Sequence, residues 1–115
     1  MREGADVLAK GSAMHPDLES LCSDVDEIVA ILRAHNVQGW ARALEKGASE
    51  IRLSDFHGVI RILHCYGGMG TLNDIIIYEQ DGRLFDALRT RIYQKADAIR
   101  AEENIIARAG FNPLT

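Results

Sequence analysis

Apolar residues recur at spacings of three and four along most of this chain, and that period marks out four helical stretches with short polar or glycine-bearing breaks between them. The first stripe is Leu18, Leu21, Cys22, Val25, Ile28, Val29 and Leu32. Pro16 stands at its first helical position, where the missing N–H has no intrahelical partner to lose. His35-Asn36 closes it, because asparagine tolerates the left-handed conformation in which helices end. A second helix is predicted over residues 38–51, with Trp40, Leu44, Ala48 and Ile51 on its buried side. Gly47 should weaken it by about 1 kcal/mol relative to alanine. A third is predicted to start at Ser54 as N-cap, with Asp55 favouring the positive helix end. Its inner face would be Phe56, Val59, Ile60 and Leu63, with Tyr66 near its end and Gly67 as C-cap. A fourth and longer helix is predicted over residues 84–109, carried by Leu84, Phe85, Leu88, Ile92, Ala96, Ile99 and Ile106. Gly110 and Asn112-Pro113 would stop it.

Two stretches escape this period. Residues 66–74 carry Gly67, Gly68 and Gly70 around Met69, a density of glycine that costs conformational entropy on folding. Such a run reads either as a tight corner where two backbones pass closely, or as a protrusion that presents Met69 to a partner. Residues 75–78 follow as three isoleucines and a tyrosine. Four residues are too few for periodicity to separate a buried strand from a helical turn. With no second convincing strand to pair with, a helical turn capped by Asn73 or Asp74 is expected. Asp81-Gly82 reads as a turn. Residues 1–14 hold small-residue interruptions and one weak apolar pair, so they are expected to form a flexible extension, with Met14 a plausible true first residue.

Composition agrees with one helical domain over residues 15–115. A chain of 115 residues is the size of a single core. Its hydrophobic share of 47% against 26% charged is that of a globular protein, not a disordered one. The expected fold is all-α, an irregular bundle of four main helices with a glycine-rich loop after the third. Cys22 and Cys65 both fall in apolar helical patterns and read as core thiols, not a secreted disulfide framework. No apolar run reaches a membrane span, and no signal peptide is evident, so a cytoplasmic location is expected.

The candidate chemistry is thin. His57 and His64 share a helix face but lie about 10 Å apart along it, too far to meet one zinc ion. There is no Cys-x-x-Cys, no His-Glu-x-x-His and no Gly-x-Ser-x-Gly, and the glycine run lacks the lysine and Ser/Thr of a phosphate-binding loop. No catalytic residue, cofactor or metal is therefore expected, and His57, Arg61 and His64 read as a polar helix face. A small enzyme or ligand binder built around His57, Arg61, Asn73 and Asp74 is the weakest of the alternatives, and it requires a cleft that joins them.

Charge says more. Lys and Arg number 13 against 17 Asp and Glu, a net −4. The first helix alone carries this excess, with Asp17, Glu19, Asp24, Asp26 and Glu27 against Arg33. Asp17, Asp24 and Glu27 fall opposite the apolar stripe and are expected to share an exposed face. Such a face disfavours nucleic acid and suits a basic protein surface. Acidic residues early in a helix also complement its dipole, which is the structural reading of the same residues.

From Ile31 to Tyr78 the chain resembles a family of small, largely uncharacterised bacterial helical proteins. The resemblance rests on Ile31-Leu32, His35-Asn36, Trp40, Leu44, Ser54-Asp55-Phe56, Gly58-Val59 and Arg61-Ile62-Leu63. Its most specific element is the motif Tyr66-Gly67-Gly68-Met69-Gly70, then Leu72-Asn73-Asp74. The resemblance implies a compact helical domain and nothing catalytic. By type alone, small acidic helical proteins of this kind are often immunity proteins.

The leading expectation is a protein-binding module, most concretely a bacterial immunity or antitoxin-like protein that occludes a basic toxin domain. Asp17, Asp24, Asp26 and Glu27 would steer the encounter, and Tyr66, Gly68, Met69, Gly70, Asn73 and Asp74 would supply a shaped contact. Neither nucleic acid nor membrane is an expected partner. The alternative is a homodimer or larger assembly with a structural or regulatory role. It would use the fourth helix as its seam, where Arg83, Arg89, Arg91, Lys95, Arg100 and Arg108 alternate with acidic residues.

Overall fold

Pro16 opens the first helix, α1 (Pro16–Ala34), at its first position. The helix ends one residue before His35, and Asn36 takes a positive φ of 64°, the left-handed stop its side chain tolerates. The computed structural model describes residues 15–67 and 70–108, and the side chains of 104–108 are outside that description. The expected extension at residues 1–14, Gly68, Met69 and the stop signals from Gly110 onward also lie outside the described residues.

The rest of the main chain forms α2 (Gln38–Arg52), α3 (His57–Leu63), a short 3-10 turn (Leu72–Asp74) and α4 (Asp81–Arg108). The fold is all-α, with no strand among the described residues. Leu21, Val25, Ile28 and Leu32 of α1 bury their stripe against Leu44 and Ala48 of α2, Val59 and Ile62 of α3, and Phe85, Leu88, Ile92 and Ala96 of α4. Leu72 and Ile77 reach into the same core from the connection between α3 and α4.

α1 and α2 run antiparallel, tied by bidentate ion pairs from Arg33 to Glu45 and from Arg52 to Asp26. α2 meets α3 so closely that neither helix has room for a side chain at the crossing. A Cβ on Gly58 would stand 2.2 Å from the carbonyl oxygen of Gly47. Gly47, which costs helix propensity, thus makes possible the approach of two backbones. Arg61 of α3 reaches back to both oxygens of Glu50. α4 runs antiparallel to α1, because Arg91 and Lys95 face Asp24 while Lys95 also meets Ser20.

Several local expectations are corrected. α3 starts at His57, three residues later than its Ser54 signal; Ser54 takes a positive φ of 65° and Asp55 does the capping, accepting the His57 N–H at 2.9 Å. Asp81-Gly82 is not a turn between elements but the first turn of α4. Leu84, placed in the apolar stripe of α4, is exposed, and the stripe begins at Phe85. Residues 75–78 do not form a helical turn: Ile75 leaves the 3-10 turn at φ −75° and ψ 132°. Burial then alternates, with Ile76 out, Ile77 in and Tyr78 out, the period of an extended chain. Tertiary anchoring decides this.

Candidate functional site

The connection from α3 to α4 is held in place by side chains that sequence spacing does not relate. Its base closes when the Leu72 N–H donates to the Cys65 carbonyl at 2.9 Å. The Tyr66 hydroxyl donates to the backbone carbonyl of Arg89 at 2.7 Å, and the Tyr66 ring tilts against Tyr93 with centroids 5.1 Å apart. Burial pushes the Tyr66 phenol well up, so it stays a donor throughout the physiological range. Gly67 and Gly70 take positive φ of 94° and 75°, and the Asp74 carboxylate accepts the Gly70 N–H.

Arg89 is the main brace. Its Nη1 donates toward the carbonyls of Leu72, Asn73 and Ile75 at 3.1–3.3 Å. Its Nη2 pairs with Asp86 at 2.9 Å, and its guanidinium lies 5.1 Å from the Phe85 ring centre. A planar cation with several fixed donors suits three converging carbonyls. The carbonyls of Asn73 and Ile75, which take no other hydrogen bond among the described residues, are thereby satisfied, and that of Leu72 gains a second donor beside the Ile75 N–H. Held this way, the segment exposes Ile76 by 68% and Tyr78 by 72%.

The candidate residues separate into two groups. Tyr66, Gly70, Asn73 and Asp74 do come together in this braced loop, while Gly68 and Met69 lie outside the described residues. The α1 acids do not make the expected free face. Asp24 is a correction: it is 6% exposed, not part of an outward acidic surface. It accepts from Arg91 through both oxygens at 3.0 Å and from Lys95 at 2.6 Å. Burial pushes its carboxyl up, but the hydrogen bonds from Arg91 and Lys95 together outweigh it and hold the group below the usual carboxylate range. Asp26 is exposed but paired with Arg52, and Glu27 lies 4.0 Å from Arg91. Among the described residues, Asp17 is the one of the four with no Lys or Arg beside it, its neighbour being the His15 ring. The same pairs engage Arg91 and Lys95, two of the cations expected to alternate along a self-pairing seam on α4.

His57 and Arg61 line a depression with Glu50, Asp55 and His64, while Asn73 lines another with Tyr66, Arg89, Tyr93 and Arg100. Among the described residues no group of three or more His, Cys, Asp or Glu side chains is placed to hold a metal ion. Cys22 and Cys65 are both buried and unbonded to each other, and burial pushes the Cys65 thiol up to about 11. No described helix is long and apolar enough to cross a membrane.

Ile76, Tyr78 and Arg89 are the residues that sequence reasoning missed. The three isoleucines gave no sign of which would face outward, and Arg89 looked like one of many helix-surface cations. The arrangement as a whole is that of a small helical domain with a braced, apolar-tipped loop.

Residues 33–86 match the model of a family described as a domain of unknown function, DUF6966. The match covers just under half of the chain, from the last turn of α1 into the first turns of α4, and so contains the whole braced loop. No curated protein and no solved structure matches the chain.

Proposed function

We propose that the chain is a protein-binding module whose contact surface is the braced loop and extended segment formed by residues 66–67 and 70–78. The observation that carries this reading is the exposure of Ile76 and Tyr78 on backbone that Arg89 fixes through three carbonyls. Leaving such side chains in water forgoes about 1.5–3 kcal/mol each that burial would supply. Fixing the segment beforehand reduces the ordering cost of a later contact. Aromatic and large aliphatic anchors on rigid backbone are the usual centre of a binding surface.

Within this reading, the chain acts as a bacterial immunity or antitoxin-like protein that covers the working surface of a basic toxin domain in the cytoplasm. Its size, helical build and net −4 charge support this. The steering charge shifts from Asp24 and Asp26, which are engaged internally, to the exposed Asp74 and Glu79 at the two ends of the segment.

A photo-crosslinking residue in place of Tyr78, introduced in the native host, tests the surface, with the same residue at exposed Arg42 on α2 as control. One discrete adduct from position 78 and none from 42 is expected. The captured partner should stop growth when expressed alone, and co-expression of this chain should restore it. Adducts absent at 78, or alike at both positions, would overturn the binding surface. A partner harmless on its own would overturn the immunity reading and leave the module standing.

A further inference from the structure

Residues 75–78 have two edges, and one of them is turned toward α4. In extended backbone the N–H and C=O of residues i and i+2 point to the same side, and those of i+1 to the other. The Ile75 carbonyl accepts from Arg89, and the Ile77 carbonyl lies against the start of α4, where a Cβ on Gly82 would come within 2.3 Å of its oxygen. Both are therefore turned toward α4. By the same alternation Ile76 and Tyr78 turn their amide and carbonyl groups the opposite way, and among the described residues these four groups, like the N–H and carbonyl of Ile77, have no hydrogen-bond partner; what sets Ile76 and Tyr78 apart is that α4 does not cover their side. Their side chains are the exposed ones. The segment thus presents a short strand edge, bounded by the 3-10 turn on one side and by Glu79, at a positive φ of 69°, on the other.

We infer that this edge accepts an added β-strand from a partner protein, an apolar, β-prone segment flanked by Lys or Arg. This deepens the proposed binding function and rests on it. Strand addition uses main-chain hydrogen bonds for affinity and alternate side chains for specificity, which are the two features the edge displays. Charge selects the occupant. Asp74 and Glu79 are exposed at the two ends, while the nearby Asp81 and Asp86 are already paired with His35 and Arg89. Two-fold antiparallel pairing with a second copy would set Ile76 and Tyr78 of one copy against those of the other and gather the exposed Asp74 and Glu79 of both copies around the ends of the ribbon. Like charges so placed destabilise a strand pair, so the same residues that attract a basic flank discourage self-pairing. Short edges with flanking charge are how exposed strands avoid each other.

The test uses the isotope-labelled full chain, observed by amide NMR during titration with two synthetic peptides that share an alternating Val-Thr core, one flanked by Lys and the other by Glu. The Lys-flanked peptide should slow hydrogen exchange at the Ile76 and Tyr78 amides and leave the Ile77 amide unaffected. The Glu-flanked peptide should bind about tenfold more weakly, the scale of two or three exposed like-charge contacts. Methylating alternate peptide nitrogens should abolish binding without touching the protein. Ile76→Pro should do the same by removing an outward N–H, since Ile75 at ψ 132° already suits a residue before proline. No binding by the Lys-flanked peptide, protection at other amides, a preference for Glu flanks, or protection that rises with protein concentration alone would each overturn strand addition. If the crosslink at position 78 persists beside such a result, only the mode of contact is lost. If no adduct forms, the function itself is wrong.

Discussion

Asp24 and Lys95 stand 71 residues apart in sequence and meet at 2.6 Å, where the carboxylate of α1 also takes two hydrogen bonds from Arg91. This triad locks α1 to α4 at the rim of the core. It also explains why the acidic α1 does not behave as a free charged face.

Asp24→Ala is expected to destabilise the protein by about 1–3 kcal/mol, less than for a fully buried pair because Arg91 and Lys95 are partly exposed and can rehydrate. Asp24 has a lowered pKa in the folded state. Its stabilisation is therefore fully present above the ordinary aspartate value and is lost as pH falls through the folded one. Urea midpoints measured from neutral pH down to about pH 3 should fall in the wild type below about pH 4, and the slope should be shallower in Asp24→Asn. Parallel slopes for the two proteins would remove the triad from the account of acid stability.

The α2–α3 crossing predicts opposite outcomes for two glycine-to-alanine changes. Gly58→Ala places a Cβ against the Gly47 carbonyl and should cost about 2 kcal/mol or more, since backbone must move. Gly39→Ala meets nothing within 4 Å in the first turn of α2 and should stabilise by up to about 1 kcal/mol. Thermal melts of the two variants give the comparison directly.

Arg89 holds the candidate surface without belonging to it. Arg89→Met should preserve much of the side-chain volume over Phe85 but leave the carbonyls of Asn73 and Ile75 without a donor and that of Leu72 with the Ile75 N–H alone. Hydrogen exchange at the Leu72 and Ile75 amides should speed up by about tenfold or more, a local loss near 1.4 kcal/mol. Arg89→Lys should recover only part of it, because an ammonium lacks the planar fork. Unchanged protection in Arg89→Met would show that the loop is held by Tyr66 and the Cys65–Leu72 hydrogen bond alone.

Cys65 is 2% exposed and its thiol is pushed up to about 11 by burial, so very little thiolate forms near neutral pH. A disulfide reagent at about pH 8 should leave Cys65 unmodified in the native protein, and modification should keep pace with global unfolding in urea. Rapid native-state labelling would show that α3 opens locally.

Much of the helical frame was legible because its signals are local. The apolar stripe of Leu21, Val25, Ile28 and Leu32 has one period that can bury it, and Pro16 and Asn36 punctuate it through their own backbone preferences. The candidate site was legible only in part. Tyr66, Gly70, Asn73 and Asp74 stood out as a glycine-bearing motif, and they do share one braced loop. Asp24 misled for a clear reason: on a helical wheel it lies off the apolar stripe, and nothing in the local pattern reveals two cations arriving from a helix 67 and 71 residues away.

The sequence by itself determined that this chain is helical, where its four helices begin to within three residues, and which side of each helix is apolar. Those properties follow from dihedral preference and hydrophobic period, which act over a few residues. Only the tertiary structure decided that residues 75–78 run extended, that Ile77 turns inward while Ile76 and Tyr78 face water, and that Arg89 fixes them there. Four residues carry too little periodicity to choose a conformation, so the choice passed to distant groups, namely the Arg89 donors and the open backbone at Gly82, which meet this segment only after α4 has packed.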